Sequence, residues 1–399
     1  MGGPREMDLG ECHGHWAGAG SRAASALDNL LKGVAETAAL PLEQARGLPP
    51  AVYRDEALAA LEQERIFRRD WSCAGLAAEI PGPGDYLTFS LAGEPILCLR
   101  GEDGEVRSFA NLCRHRLMRL VEGRGSCRRL VCPYHAWSYD LEGRLIGAGH
   151  MGKKFEKSGI RLAEVRTEIW QGWIYLTLDP ETPPLAELLA PLECVVARYA
   201  MADYLPIVTE DHVWRTNWKL LCENFMEGYH LPVVHRETVG AWFPVEETRF
   251  PEETFEAFTY QTFAKSEGAT YGRAPAENTR LEGAWRGTSV LPTVFPAHMY
   301  VLAPDHLWYL SLRPQGVGEV AVRFGVALAP EVEASLGEAR ETWLSELLQF
   351  FDKVNAEDRA IVEGIFGSTA SSFATPGPLS WLEREIHDFQ GFLARRLCE

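Results

Sequence analysis

The sequence predicts an α+β protein, in which a small all-β domain precedes a larger domain with an antiparallel sheet and a long C-terminal helix. Two observations support this class. From residue 72 to residue 179, short β-type runs alternate with turn residues, as in a module built from hairpins. Beyond residue 200, alternating strands such as HLWYLSLRP and AVRFGVALAP precede a helical pattern over residues 334–366.

Length and composition restrict the classes of partner. The chain has 399 residues, and 39 basic against 56 acidic side chains give a net charge of −17. This charge argues against nucleic acid or an anionic membrane as a partner. No apolar run reaches the roughly 20 residues that span a bilayer, and the N-terminus lacks the pattern of a secretory signal. Nine scattered cysteines indicate a reducing cytoplasm, where clustered cysteines are metal ligands more often than disulfides.

The elements follow in order along the chain. Residues 1–45 are predicted to form a mobile Gly-rich tail and a short amphipathic helix, and residues 46–71 a helical segment with apolar residues at helical spacing. Residues 72–180 form the β domain, which contains one hairpin across the turn GEDG and another across LEG. Residues 181–399 form the second domain, after a Pro-rich connector.

Three helices are predicted in the second domain. The first covers residues 217–230 (NWKLLCENFMEGYH), and the second is the long helix at 334–366. The third covers residues 381–397, because its apolar residues fall on one helical face. These residues are Trp381, Leu382, Ile386, Phe389, Leu393 and Leu397.

Two Cys/His pairs lie close together in the β domain. Cys113 and His115 form the first pair, and Cys132 and His135 form the second. Two thiolates and two imidazoles suit a tetrahedral zinc ion, and they equally suit a Rieske [2Fe–2S] centre, in which two histidines replace two cysteines on one iron. Zinc motifs usually pair Cys with Cys and His with His, whereas each turn here holds one of each. The spacing therefore favours the Rieske centre, with a structural zinc site as the alternative.

A second group of possible ligands lies about a hundred residues later. His230 and His235 would point about 140° apart on an ideal helix, so an undistorted helix cannot direct both to one ion. Pro232 lies between them and is expected to break the helix, so that His235 turns back from a loop. Alternatively, these are two ordinary polar histidines near the end of a helix.

The long helix supplies a candidate carboxylate. Its apolar stripe consists of Leu347, Phe351, Val354, Ile361 and Ile365. Asp358 falls in a gap of this stripe, and a carboxylate that faces a core is costly unless it has a partner. Two histidines and one carboxylate would complete the facial triad of a non-heme Fe(II) oxygenase. The alternatives are a salt bridge or a helix cap at Asp358, and Glu357 as the neighbouring ligand candidate.

The segment CRHR…CPYHAWSYDLEGRL resembles the Rieske domain of the Rieske non-heme iron oxygenases, also called ring-hydroxylating oxygenase α subunits. The resemblance implies that Cys113, His115, Cys132 and His135 hold a [2Fe–2S] cluster. High-potential Rieske proteins carry an additional disulfide in these turns, for which this sequence has no cysteines. Ala136 follows His135, so a hydroxyl donor is missing at that position. Both absences predict a lower reduction potential.

The segment NWK…EN…EGYH…H resembles the mononuclear-iron motif of the same family. This resemblance implies His230, His235 and Asp358 as iron ligands, and Asn224 matches an asparagine near the iron in some members. In the family an Asp three residues before the first histidine links the cluster of one subunit to the iron of the next. Here that residue is Glu227, as in members that act on quaternary amines such as carnitine and betaines. Without the motif, Glu227 would be read as a solvated helix carboxylate.

The resemblance covers residues 46–399 and implies a complete functional assignment. The fold would be a Rieske domain over 72–180 followed by a helix-grip catalytic domain over 181–399, in a cytoplasmic homotrimer. The chain would be the terminal oxygenase of a multicomponent system, with a [2Fe–2S] cluster, mononuclear Fe(II) and O2. A separate flavin/iron–sulfur reductase or ferredoxin would supply electrons from NAD(P)H.

The reaction predicted is monooxygenation of a small organic substrate, by hydroxylation or oxidative dealkylation. A quaternary amine is the expected substrate class, and dioxygenation of an aromatic ring is the alternative. From another class, an iron–sulfur electron-transfer protein would need only the first cluster. Aromatic side chains after His235 are candidates for the substrate pocket, either through cation–π contacts or by stacking. They are Trp242, Phe243, Trp285, Phe295, Tyr300 and Trp308.

Overall fold

The computed structural model describes residues 17–241, 243–264 and 271–398. In the described part of the chain, two α-helices precede the sheets: α1 (Ala17–Ala38) and α2 (Glu56–Glu62). The first begins inside the segment predicted as tail, because its alanines favour a helix in spite of the glycines among them. The remainder of the predicted tail, residues 1–16, lies outside the described residues.

The β domain consists of short antiparallel strands. They are β1 (Ser72–Leu76), β2 (Asp85–Leu91), β3 (Glu94–Arg100), β4 (Val106–Ala110), β5 (Arg124–Ser126), β6 (Leu130–Val131), β7 (Ser138–Tyr139), β8 (Leu145–Gly147), β9 (Glu164–Trp170) and β10 (Trp173–Thr177). Seven of them form one sheet in the order β1-β10-β9-β4-β3-β2-β5, and β6, β7 and β8 form a second. The predicted hairpins β3–β4 and β7–β8 are confirmed by their pairing.

The second domain is a single antiparallel sheet with helices against one of its faces. Two short connector helices, α3 (Leu185–Leu188) and α4 (Ala190–Val196), lead into it. Its elements are β11 (Leu205–Trp214), α5 (Trp218–Phe225), α6 (Leu231–Val234), β12 (Phe258–Ala264), β13 (Thr288–Val294), β14 (His298–Leu302), β15 (His306–Pro314), β16 (Val320–Leu328), α7 (Pro330–Leu336), α8 (Arg340–Ser368) and α9 (Arg384–Cys398).

The sheet order is β11-β16-β15-β14-β13-β12, and α8 lies against it. The Phe351 ring of α8 lies 5.9 Å from Trp308 on β15 and 6.1 Å from Phe324 on β16, measured between ring centroids. Helix α9 packs beside β12, where the Thr259 hydroxyl bonds the Asp388 carboxylate at 3.1 Å. An antiparallel sheet that holds a long C-terminal helix agrees with the predicted α+β class.

The helix predicted over residues 217–230 is shorter than expected. It ends at Phe225, and a turn separates it from the one-turn helix α6. In this turn the Glu227 carboxylate accepts the His230 N–H at 3.0 Å, just ahead of the short helix. Pro232 lies in the first turn of that helix, where a missing N–H costs nothing, so it does not break the preceding helix as predicted.

The helical pattern at 334–366 is also divided. Gly337, whose φ is 48°, separates α7 from α8. Along α8, the first part of the predicted stripe is buried, whereas Ile361 and Ile365 are exposed and Val362 is buried in their place. Because an α-helix has 3.6 residues per turn, the face that contains Asp358 continues to Val362 and not to Ile361. At the start of the last helical segment, Trp381 is likewise exposed although its neighbours on the predicted face are buried.

The two domains share a buried polar contact. Arg323 of β16 donates to the Ala74 carbonyl of β1 at 2.6 Å, and the Ser311 hydroxyl of β15 donates to the Cys73 carbonyl at 2.6 Å. The Tyr309 hydroxyl donates to Glu79 at 2.7 Å. Such bonds satisfy backbone carbonyls that would otherwise be buried without partners.

A buried ion pair joins the N-terminal helical segment to α5. The Lys219 ammonium donates to Glu62 at 2.6 Å, and the Trp218 indole N–H donates to the other carboxylate oxygen at 2.7 Å. Both charged side chains are almost completely buried. Among the helices described, none has the length and apolar character needed to cross a membrane.

Candidate functional site: two Cys/His turns and a His/His/Asp cavity

The two predicted Cys/His pairs lie on turns with the same backbone shape. In the first turn the Leu117 N–H donates to the Cys113 carbonyl at 3.0 Å, and in the second the Ala136 N–H donates to the Cys132 carbonyl at 3.0 Å. Leu117 and Ala136 both adopt left-handed backbone angles, with φ of 60° and 56°. Each turn therefore presents one cysteine and one histidine in an equivalent way.

The candidate sulfur ligands are buried, whereas the candidate nitrogen ligands are exposed. Cys113 is 1% exposed and Cys132 2%, whereas His115 and His135 lie at the surface with ring centroids 4.7 Å apart. The His115 ring stacks on Trp137 at 4.8 Å, which fixes its orientation. Two buried thiols beneath two adjacent surface imidazoles fit a [2Fe–2S] cluster with cysteine on the inner iron and histidine on the outer.

The structure adds a hydroxyl donor that the sequence did not reveal. The Tyr139 hydroxyl lies 3.3 Å from Cys113 Sγ and accepts the Arg114 N–H at 3.0 Å. Burial and the contact with Cys113 raise the pKa of Tyr139 well above its usual value, so the hydroxyl keeps its proton and can donate it to a thiolate. The Ala136 side chain supplies no donor, but a hydrogen bond from Tyr139 to a cluster thiolate would offset part of the lower potential predicted from that absence.

The other three candidate ligands meet between α6 and α8. His230 precedes the short helix α6 and His235 follows it, so one helical turn brings both imidazoles to the same side. Asp358 Oδ1 lies 3.0 Å from His235 Nε2 and 3.5 Å from His230 Nε2. The ligand atoms of all three residues lie within 4.8 Å of one another, a spacing at which they could hold a metal ion.

The charges in this group favour a cation. Burial would raise the pKa of Asp358, but hydrogen bonds from His230 and His235 hold it below its usual value. Burial would likewise lower the pKa of His230, but Asp358 and Glu227 raise it to about 10. Carboxylates that stabilise a protonated imidazole would also stabilise a divalent metal in the same place.

A carboxylate behind each histidine fixes the orientation of its ring. Glu227 bonds His230 Nδ1, and Glu357 accepts from His235 Nδ1 at 2.8 Å. The Thr238 hydroxyl also donates to Glu357, at 2.7 Å. These bonds hold a proton on each Nδ1, so that the Nε2 atoms, which face Asp358, are the ones that would lose their protons to bind a metal, as metal-bound histidines require. The residues thus fit a mononuclear iron, with Glu357 behind His235 rather than in place of Asp358.

A cavity, here called the triad cavity, opens beside these ligands. Asn224, Glu227 and Gln261 lie in its wall together with the triad. Four of its lining residues also line a second, apolar cavity, so the two are adjacent; the shared residues are Leu231, Val239, Leu291 and Trp308. The apolar cavity is further lined by Phe243, Tyr271, Val301, His306, Leu347, Phe350 and Phe351.

The aromatic residues predicted for the pocket divide into two groups. Phe243 and Trp308 line the apolar cavity. Phe295 and Tyr300 are buried in the main core and Trp285 packs against it, whereas Trp242 lies outside the described residues. No pattern in the sequence pointed to Tyr271, Phe350 or His306, because each enters the cavity from an element whose placement depends on the whole fold.

Two known domain families match parts of this chain. Residues 70–165 match the Rieske [2Fe-2S] domain, and residues 201–399 match the catalytic domain of the ring hydroxylating alpha subunit. The glycine betaine monooxygenase oxygenase subunit of Chromohalobacter salexigens is 36% identical over 237 residues, which are 58% of this chain and 53% of that protein. The carnitine monooxygenase oxygenase subunit of Escherichia coli K12 is 27% identical over 260 residues, 64% of this chain and 69% of that protein. The chain spans about half the length of the glycine betaine relatives that it matches.

Solved structures show the same fold. The quaternary ammonium Rieske monooxygenase CntA, in complex with an inhibitor, superposes with a TM-score of 0.78 at 21% identity and covers 90% of this chain and 98% of its own. Naphthalene 1,2-dioxygenase from a Rhodococcus species gives a TM-score of 0.74 at 22% identity, with 94% and 99% covered. These matches confirm the predicted Rieske domain and helix-grip domain. The chain therefore belongs to the Rieske non-heme iron oxygenases, the family of ring-hydroxylating oxygenase α subunits, whose cofactors are a Rieske [2Fe–2S] cluster and a mononuclear iron.

Proposed function

We propose that this protein is the terminal oxygenase component of a multicomponent monooxygenase in the cytoplasm. It would hydroxylate or oxidatively dealkylate a quaternary ammonium compound, with O2 and with electrons that a separate reductase or ferredoxin takes from NAD(P)H. The observation that carries the proposal is the meeting of His230, His235 and Asp358 beside a cavity with aromatic walls. Relatives named as glycine betaine, carnitine and choline monooxygenases support the substrate class.

Each side chain of the iron site and of the cluster site then has a specific role. His230, His235 and Asp358 would hold the iron, and Cys113, His115, Cys132 and His135 would hold the cluster. When bound, the cluster supplies single electrons and the iron supplies the site of O2 activation. Glu227 and Glu357 hold the Nδ1 protons of the two histidines and so keep the Nε2 lone pairs directed at one point.

The cavities supply the environment for a cationic substrate. Phe243, Tyr271, Trp308, Phe350 and Phe351 contribute five aromatic rings to the apolar cavity. Aromatic faces attract a quaternary ammonium group through cation–π interactions, and these are stronger where water is excluded. The rings would hold the ammonium group while its N-methyl or adjacent carbon faces the triad.

We further propose a head-to-tail homotrimer in which Glu227 connects neighbouring subunits. His115 and His135 are exposed together with Leu117 and Tyr134, so the tip of the Rieske domain presents accessible apolar side chains, with the exposed Arg114 and Arg116 beside them. Tyr229 and Val233, on either side of His230 in the sequence, are 61% and 79% exposed. Burial of both surfaces against each other in a closed ring would place the cluster histidines of one subunit beside Glu227 of the next.

The first experiment identifies the substrate. Purified enzyme with a surrogate reductase is tested for substrate-dependent O2 consumption with glycine betaine, carnitine, choline and aromatic acids. We expect turnover with one or more of the quaternary amines, with one atom of O2 recovered in the organic products (the alcohol, or the aldehyde released on dealkylation) and the other in water. Turnover of aromatic acids alone, with two oxygen atoms incorporated, would instead support an aromatic-ring dioxygenase, a function that the apolar walls of the cavity also permit.

Iron content separates the oxygenase from a pure electron-transfer protein. A chain with both centres binds about three irons, whereas a chain with the cluster alone binds about two. Asp358→Ala should remove one iron and leave the visible absorbance of the cluster intact. Asp352→Ala is the matched control, because this exposed carboxylate lies on the same helix. Equal iron content in the two variants would contradict the ligand assignment.

Glu227→Gln tests the coupling between subunits. The amide keeps a hydrogen-bond acceptor for His230 but loses the negative charge. We expect the cluster to be reduced at the normal rate while product formation collapses. Unimpaired turnover would show that Glu227 is not on the electron path. A protein that is monomeric at its working concentration would contradict the proposed trimer.

A further inference from the structure

Gln261 has an unusual position for an amide side chain. It lies in the middle of β12, opposite Leu291 of β13, and is 1% exposed. Its side chain lines the triad cavity together with His235 and Asp358. Among the described residues, neither the amide oxygen nor the amide nitrogen of Gln261 has a hydrogen-bond partner.

An unpartnered amide at this place needs an explanation. A buried donor or acceptor without a partner costs free energy, and Gln261 carries one of each. Its neighbours in the cavity wall, Phe263, Leu291 and Leu310, would accommodate a methionine of similar length without that cost. The amide contributes nothing visible to the fold, so its partner is expected to be a ligand in the cavity.

The chemistry of the wall restricts what this ligand is. No lysine or arginine is among the described residues that line the triad cavity, and its charged members are the carboxylates Glu227 and Asp358 and the two histidines. A substrate with net negative charge would therefore lack a cationic partner outside the metal site. A zwitterion has no net charge, so a neutral N–H donor is sufficient for its carboxylate.

We propose that Gln261 is a substrate-binding residue whose amide N–H2 donates to the carboxylate of a zwitterionic quaternary ammonium substrate, a betaine. This inference rests on the proposed function and makes it more specific. The aromatic rings of the adjacent cavity select the ammonium group, and Gln261 selects the carboxylate. Together they distinguish a betaine from a quaternary amine that has no carboxylate.

Binding is measured rather than turnover, so that the result does not depend on electron supply. The enzyme loaded with cluster and iron is kept anaerobic without reductase, and glycine betaine, choline and tetramethylammonium are titrated by calorimetry. We expect the unsubstituted enzyme to bind glycine betaine most tightly. Gln261→Met should weaken glycine betaine binding by about 10- to 100-fold, the value of a hydrogen bond to a charged group. Its affinity for tetramethylammonium should change less than about twofold, since no hydrogen bond is lost.

Thermal unfolding of the ligand-free protein gives an independent readout. Gln261→Met should unfold at an equal or higher temperature, because it removes two unpartnered polar atoms from the interior. Gln390→Met is the matched control, since this buried amide donates to the Arg46 carbonyl at 2.9 Å, away from the cavity. The control should unfold at a lower temperature and bind glycine betaine normally. Gln261→Leu serves as a second variant and should behave like Gln261→Met.

Three outcomes would overturn the inference. In the first, both Gln261 variants keep the preference for glycine betaine over tetramethylammonium, which leaves the proposed function intact. In the second, the variants unfold at a lower temperature and weaken all three ligands equally, which would make Gln261 a structural residue. In the third, the unsubstituted enzyme binds none of the three compounds, and the proposed substrate class fails together with the inference.

Discussion

Glu357 offers the sharpest test of how the iron site is held. Its carboxylate accepts hydrogen bonds from His235 Nδ1 at 2.8 Å and from the Thr238 hydroxyl at 2.7 Å. In Glu357→Ala both bonds disappear, and the Nδ1 side of His235 loses the partner that fixes its tautomer and supports its ring orientation. The loss of such a carboxylate behind a metal-bound histidine lowers metal affinity by about 10- to 100-fold.

This range agrees with the contacts. One charge-assisted hydrogen bond to the imidazole contributes roughly 1.5–3 kcal/mol, and a tenfold change in affinity corresponds to about 1.4 kcal/mol. Glu357→Gln retains an oxygen that can accept from Nδ1 but loses the charge, so its iron affinity should fall by less than about tenfold. The difference between the two variants measures the contribution of the charge.

The assay is retention of iron against a competing chelator. The [2Fe–2S] absorbance provides an internal reference, because the Rieske turns lie in the other domain and should be unaffected. Glu346→Ala is the matched control, an exposed carboxylate about three turns earlier on α8. If Glu357→Ala retains iron as well as Glu346→Ala does, the carboxylate does not position His235 and the reasoning is refuted.

Three further predictions concern the rest of the molecule. Tyr139→Phe removes the hydroxyl 3.3 Å from Cys113 Sγ, and the reduction potential of the cluster should fall by roughly 20–60 mV, one hydrogen bond in a one-electron couple. A redox titration with an unchanged potential would contradict the contact. Burial lowers the pKa of His298 to about 3, below the value near 6.5 in the unfolded chain. The unfolded state therefore binds the extra proton between these values, and the free energy of unfolding should fall below about pH 6.5 by up to ~1.4 kcal/mol per pH unit. Urea titrations should show a shallower pH dependence in His298→Gln, and equal slopes would refute this. Glu62→Ala leaves the buried Lys219 ammonium without its carboxylate and should lower the free energy of unfolding by about 3–5 kcal/mol, whereas methionine at both positions should restore most of it.

Much of the fold and of the candidate site could be predicted from local sequence spacing, because several features depend on residues that lie close together in the sequence. The two Cys/His turns are short segments whose ligands are a few residues apart, so their pattern was visible. Both hairpins followed from a turn between two β runs. Asp358 was visible as a carboxylate within an apolar helical stripe, and the structure brings it to the two histidines. Its role as an iron ligand stays a prediction.

The missed features depend on contacts between distant segments. Glu357 points off the apolar stripe of its own helix, and only the position of α6 shows that it meets His235. In the sequence Tyr139 is an ordinary hairpin residue, and only the structure shows that its hydroxyl lies beside Cys113 Sγ. Gln261 looks like an ordinary member of an alternating strand, since nothing in the strand indicates what its inner face meets. The early end of α5 is followed by a turn in which the Glu227 carboxylate accepts the His230 N–H, a side-chain contact that periodicity does not consider.

The contact between the two domains has a consequence for electron delivery. The Arg323 guanidinium is 3% exposed and keeps Asp211 as a partner within its own domain, but it also donates to the Ala74 carbonyl of the Rieske domain. A rotation of the Rieske domain as a swinging arm would break this bond together with those from Ser311 and Tyr309, at a cost of about 1–3 kcal/mol for each buried group left without a partner. Under the proposed function, an electron carrier would have to dock on the fixed surface around His115 and His135, and its association rate should depend on ionic strength.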